Sequence, residues 1–250
     1  MLDKYKPLLN NRTAFTITEL IIVFAVIALL LSTFLFSKNI EQNNKLIVVA
    51  SEYQKLRAAY GDFYQIYEAL PGDLDNAYSL FGSACGTDDL IVNGGCNGDG
   101  DESVEDVNES YKSNQHMNLA QLFDEEYSGS ALIGTVDEKF VKSKFTNGYY
   151  SPILDAANQN NLYRARFDRF HYIVLGAINL SNEPYNPLFT ADEANKIDSK
   201  IDDGVMWNGV VQIRYNDAQT CNGGDAVLAG NYILDDENII CNLLFYIDVF

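Results

Sequence analysis

The sequence predicts an α+β fold in which a long N-terminal helix precedes a small antiparallel β-sheet. An apolar run from Phe15 to Phe36 passes into an amphipathic stripe that ends at a Pro-Gly turn. Three dense β-type runs then occupy the C-terminal half, with a short capped helix between the first two. A helix, an insertion and a group of strands in that order make an α+β architecture.

Residues 1–14, MLDKYKPLLNNRTA, are polar and carry Lys4, Lys6 and Arg12 against Asp3. The 22 residues of Phe15–Phe36 follow, and a helix of that length spans a hydrocarbon core of about 30 Å at roughly 1.5 Å per residue. The basic leader keeps the N-terminus cytoplasmic and sends the rest outward. An uncleaved anchor is the simplest reading, but Glu19 lies inside the run, where a carboxylate costs roughly 2.5–3.5 kcal/mol. A cut between Ala14 and Phe15 would create an α-amino group four residues before Glu19. On a neighbouring helix that amine would pair with the carboxylate and set a one-residue stagger between subunits.

Beyond the run, Leu46, Val49, Tyr53, Leu56, Tyr60, Phe63 and Tyr67 recur in steps of three and four, one buried helical face. Glu52, Gln54, Lys55, Arg57 and Asp62 fall on the side expected to face solvent. Leu70-Pro71-Gly72-Asp73 stops the helix, because the residue before proline avoids helix and glycine permits a turn. The span from Phe15 to Ala69 is 55 residues, about 80 Å of helix.

With 17 Lys and Arg against 35 Asp and Glu, the formal charge of −18 excludes a general nucleic-acid binder. The 16 Tyr and 14 Phe exclude a disordered chain. The acids concentrate: twelve of them, and no Lys or Arg, lie between Arg57 and Lys112. Within this stretch Asn97, Asp99, Gly100 and Asp106 fit positions three, five, six and twelve of a calcium loop, while Gly95 stands where its first acid belongs. Two readings follow: a solvated acidic loop, or a Ca²⁺ site using Asn97, Asp99, Asp101 and Asp106, the one cofactor the sequence suggests.

A helix is expected over Asn114–Glu126, and strands over Phe170–Ile178, Gly209–Tyr215 and Ile239–Phe250. Thr190-Ala-Asp-Glu193 is a capping box opening a helix that reaches Ile201. Arg164, Arg166 and Arg169 form the basic cluster, read either as neutralising acids of the same subunit or as meeting a partner. His116 is expected to face solvent and His171 to pack against the sheet. No nucleophile elbow, HExxH or phosphate loop occurs, so no enzyme is expected. Cys85, Cys96, Cys221 and Cys241 allow three pairings; proximity favours Cys85–Cys96 and Cys221–Cys241, with all four outside the cytoplasm.

The segment Ala14-Phe15-Thr16-Ile17-Thr18-Glu19-Leu20-Ile21 resembles the prepilin-peptidase site of type IV pilins and type II secretion pseudopilins, with Ala14 in place of the usual glycine. The resemblance covers residues 1 to about 70 and implies that the peptidase removes 14 residues, leaves 250 − 14 = 236, and methylates the Phe15 amine. It implies a pilin-like fold with the second half of the helix packed on the sheet. The layout expected is a leader (1–14), a transmembrane or filament-core helix (15–36), its amphipathic continuation (37–70), an acidic insertion with a short helix (71–160) and an antiparallel sheet domain (161–250). The expected function is a large or minor structural subunit of a type IV pilus or type II secretion pseudopilus. The alternative is a membrane-anchored periplasmic or surface binding module. The partners implied are other pilin subunits, the peptidase and the inner membrane, in a single-pass protein with its C-terminal domain in the periplasm. LPGD at 70–73, NGDG at 97–100 and Ile197–Gly204 resemble a subgroup of large pilin-like proteins and bear on architecture rather than activity.

Overall fold

The structure, a computed structural model, describes residues 16–85, 95–104, 107–130, 134–145, 147–153, 171–206, 208–213, 221, 232, 234 and 237–247, with backbone alone at 34–43, 107 and 153. The chain divides into two compact units, Met1–Asn44 and Lys45–Phe250.

Helix α1 is assigned over Ile17–Tyr67. It starts on a capping box that sequence reading missed. The Glu19 carboxylate accepts the Thr16 backbone N–H and hydroxyl, both at 2.8 Å. In return the Glu19 N–H donates to Thr16 Oγ1 at 3.2 Å. Thr-x-x-Glu satisfies two donors that a helix start leaves open. The apolar side chains described in the first unit run over 17–33, about 25 Å at the helical rise against roughly 30 Å of hydrocarbon. Among the described residues no helix is long and apolar enough to cross a membrane. This overturns the expected long N-terminal helix with a transmembrane half over 15–36. It equally overturns the single-pass placement in a bacterial inner membrane with a periplasmic C-terminal domain.

In the second unit the heptad-like stripe is the core face of α1: Leu46, Val49, Tyr53, Leu56, Tyr60 and Phe63 are all buried. They pack with a five-stranded antiparallel sheet of β1 (Val141–Lys142), β2 (Gly148–Ile153), β3 (His171–Ala177), β4 (Val211–Ile213) and β5 (Leu243–Ile247), ordered β1-β2-β3-β5-β4. The Tyr53 hydroxyl donates to the Tyr246 carbonyl at 2.7 Å, and its ring lies 5.3 Å from Phe245. Glu52 does not stand in solvent as expected. Its carboxylate accepts the Ser143 hydroxyl at 2.6 Å, the Lys144 N–H at 2.8 Å and the Tyr150 hydroxyl at 3.0 Å, tying α1 to the β1–β2 hairpin.

Strands β3, β4 and β5 lie inside the three expected runs. Their density has a physical cause. Ile173, Leu175, Leu243 and Phe245 face the main core, while Tyr172, Val174 and Leu244 form a second apolar cluster with Tyr185 and Tyr246. A sheet covered on both faces reads as a continuous apolar run rather than an alternation. The β1–β2 hairpin was not expected, because its strands carry Lys142, Ser151 and Pro152 rather than an apolar series. Its turn uses Asn147 at φ 56°, a left-handed conformation that asparagine tolerates.

Three further helices complete the described part: α2 (Ala77–Phe81), α3 (Val107–Leu119) and α4 (Ala191–Ile201). Helix α4 carries the expected reciprocal cap between Thr190 and Glu193. Helix α3 begins before the expected Asn114 and stops at Leu119, where Gln121 takes φ 62°. Its inward polar side chains hid the true span: Ser110 Oγ donates to the Pro152 carbonyl at 3.0 Å and Asn114 Nδ2 to the Lys139 carbonyl at 2.8 Å. Two disulfides are present, Cys85–Cys96 and Cys221–Cys241.

Replacing the fully buried Phe63 by alanine should destabilise the chain by about 3–5 kcal/mol. Tyr53→Phe, which loses one hydrogen bond to β5, should cost only about 0.5–1.5 kcal/mol. Urea unfolding of both variants checks this, and two equally small losses would contradict the packing of the α1 stripe on the sheet.

Candidate functional site

Where α1 stops, the 70–73 turn meets the 95–104 segment and α3. Gly72 has φ +102°, and a Cβ there would lie 2.5 Å from the Glu109 carbonyl oxygen. A Cβ on Gly98 would lie 2.4 Å from the Asp73 Cα. The two glycine motifs thus approach each other too closely for side chains. Between them sits Asp73, 3% exposed. Its Oδ1 accepts the N–H groups of Gly100 at 2.8 Å and Asp101 at 3.0 Å, and its Oδ2 accepts that of Glu102 at 2.9 Å. The backbone adds Gly98 N–H to the Leu74 carbonyl at 2.7 Å and Gly100 N–H to the Asp73 carbonyl at 3.1 Å. Burial raises the Asp73 carboxyl to about 6, outweighing the three amide donors that pull it down.

His116 on α3 closes the other side. It was expected in solvent but is fully buried, between Phe63 and Phe81. The Gly72 N–H donates to its Nδ1 at 2.9 Å, so Nε2 carries the proton and donates to the Cys96 carbonyl at 2.8 Å. Burial depresses the imidazole to about 4, with the Lys112 charge pushing the same way. Lys112 Nζ donates to the Asn97 carbonyl at 2.6 Å. Neutral histidine, buried lysine and buried carboxylate all act on the same loop backbone.

Of the four expected metal ligands, the structure brings together two. Oxygens of Asp99 and Asp101 converge with Asp73 to within 4.8 Å. Asn97 is turned away, its Oδ1 accepting the Tyr78 N–H of α2 at 2.8 Å; Asp106 lies outside the described residues. Beside the trio is a cavity of about 230 Å³ lined by Tyr64, Glu68, Leu70, Asp73, Asp75 and Glu102, among others. Three of the acceptor positions on Asp73 are taken by amides, so its first task is to hold the loop.

A second acid cluster repeats this logic in the Ile197–Gly204 motif. Asp198, fully buried, accepts the Tyr232 hydroxyl at 2.8 Å and the Gly204 N–H at 3.2 Å. Asp202 accepts the N–H groups of Val210 and Val211, and Asp203 that of Val205 at 2.8 Å. Burial raises Asp198 to about 6. Asp73, His116, Asp198 and Tyr232 were not singled out by sequence reasoning. The available signal was an acid beside glycine in LPGD and in the Asp202-Asp203-Gly204 run. The processing residues Ala14 and Phe15, and the arginines 164, 166 and 169, lie outside the described residues.

No family model matches the chain, and no curated protein or solved structure is significantly similar to it.

The opposed titrations set a pH prediction. Asp73 and Asp198, raised from 3.8 to about 6, contribute stability that is complete below 3.8 and lost as pH rises through about 6. His116 and His171, lowered from 6.5 to about 4, contribute stability that is complete above 6.5 and lost as pH falls through about 4. Each group is worth about 1–2 kcal/mol between roughly pH 7.5 and 5, with opposite signs. The wild-type chain should therefore change little over that interval, while Asp73→Asn should lose stability on acidification more steeply, by about 1 kcal/mol. Equal slopes in chemical denaturation would rule out the raised carboxyl.

Proposed function

We propose that the chain is a pilin-like structural subunit, cut between Ala14 and Phe15, that assembles with other such subunits through the N-terminal part of α1. The observation that carries the reading is the state of the 17–31 segment. Its large apolar side chains stand exposed from Ile17 (78%) through Phe24 (61%) to Leu31 (59%). A contiguous apolar surface of that kind needs a partner to cover it, and a bundle of identical helices is the partner that the Phe15–Glu19 motif suggests.

Glu19 then has two separable roles. Inside one chain it caps α1 through Thr16. Between chains its charge would pair with the Phe15 amine freed by cleavage. Glutamine serves in the capping box as well as glutamate does but carries no charge.

Co-expression with a prepilin peptidase should shorten the chain by 14 residues, and Ala14→Leu should leave it uncut on a gel. Glu19→Gln should keep the helix start, by circular dichroism, yet fail to enter filaments isolated with shaft subunits. Normal incorporation of that variant would overturn the assembly role. Cleavage without co-assembly would mark the chain as a binding module carried on the same N-terminus.

A further inference from the structure

The 95–104 segment is held in a way that separates it from the rest of the second unit. Its bonds run to Asp73 and Leu74, to Tyr78 of α2, and to Lys112 and His116 of α3. Helix α3 is anchored elsewhere: to β2 through Ser110, to the 139 carbonyl through Asn114, and to α1 through Ser113, whose hydroxyl lies 3.0 Å from that of Tyr60. The floor beneath the segment therefore stays in place whether or not the segment is docked. One covalent tie, Cys85–Cys96, joins the segment to the end of α2 and its following turn. The other disulfide pins residue 221 beside β5 and does not touch this region.

We propose that Cys85–Cys96 is a redox latch: its oxidation closes residues 95–104 as a strap over the 70–74 turn, and its reduction releases the strap while the sheet stays folded. Closing takes two cysteine thiols and one external disulfide to the protein disulfide and two external thiols, and two electrons leave with the donor. Opening is the reverse exchange with a dithiol. The strap carries Asp99 and Asp101 to Asp73, so the acidic cluster and its cavity exist only in the oxidised chain. The same movement uncovers the buried faces of Asp73 and His116. Cys96 is the pivot because its own carbonyl takes the His116 proton donor and the next residue caps α2. Local release of this kind follows from few, separable contacts rather than from global instability. It is independent of the assembly reading above.

Hydrogen exchange on the full-length chain tests it. In a Cys85→Ser, Cys96→Ser double variant the amides of Gly98, Gly100, Asp101 and Glu102 should exchange at least about tenfold faster. The His116 Nε2–H signal should disappear in the same variant, while β3 and β5 amides keep wild-type protection. A second variant, Gly98→Ala, keeps both disulfides but puts a Cβ 2.4 Å from the Asp73 Cα, and it should free the same amides. Three outcomes overturn the latch: unchanged protection in the double variant, parallel opening of β3 and β5, or failure of that variant to fold. Gly98→Ala with the four amides still protected would overturn the strap geometry itself.

Discussion

A carboxylate removed from water has to be compensated by donors in place, and around Asp73 that requirement organises the whole insertion. Three consecutive donors, from Gly100, Asp101 and Glu102, can point at one side chain only if the 97–102 backbone curls around it. That curl demands Gly100 at φ +76° and a bare Cα at Gly98. It also places the Asn97 side chain over the first turn of α2 and its carbonyl over Lys112. The turn carrying Asp73 is held in turn by His116, which must be neutral to accept from Gly72. One buried acid thus determines the conformation of elements from three parts of the chain.

The same economy recurs at Asp198, Asp202 and Asp203, each of which accepts loop amides. A charge of −18 invites the idea that the acids are there for cations or basic partners. Several of them are instead internal acceptors, standing where the chain turns too sharply for backbone pairing. Glu52 does this for the β1–β2 hairpin, taking two hydroxyls and an amide. An acidic sequence can in this way be polar inside as well as outside.

The sheet shows how polar and apolar demands are reconciled. Tyr53, Tyr60 and Tyr150 bring large ring surfaces to the core while their hydroxyls reach a carbonyl, a serine and a carboxylate. Burial raises the Tyr60 and Tyr150 phenols far above their usual range, so they stay neutral donors. The high tyrosine content is therefore a core property.

Features governed by neighbours a few positions apart were legible from the letters alone. These are the stop at Pro71-Gly72, the Thr190–Glu193 cap, the strand runs of β3, β4 and β5, and the local disulfides. Propensity, capping and loop closure act over that range, and each leaves a short pattern. The membrane-crossing half was read from a hydropathy run and did not survive, because the described apolar helix is too short to span. Asp73 could not be read as a loop holder, since its donors lie some 27 to 29 residues away. Nor could His116 be placed inside: its partners, Gly72 and Cys96, are 44 and 20 residues distant. The β1–β2 strands stayed hidden because their pairing partners, not their composition, make them strands. Such contacts form only when the chain closes on itself, and the tertiary structure alone decides them.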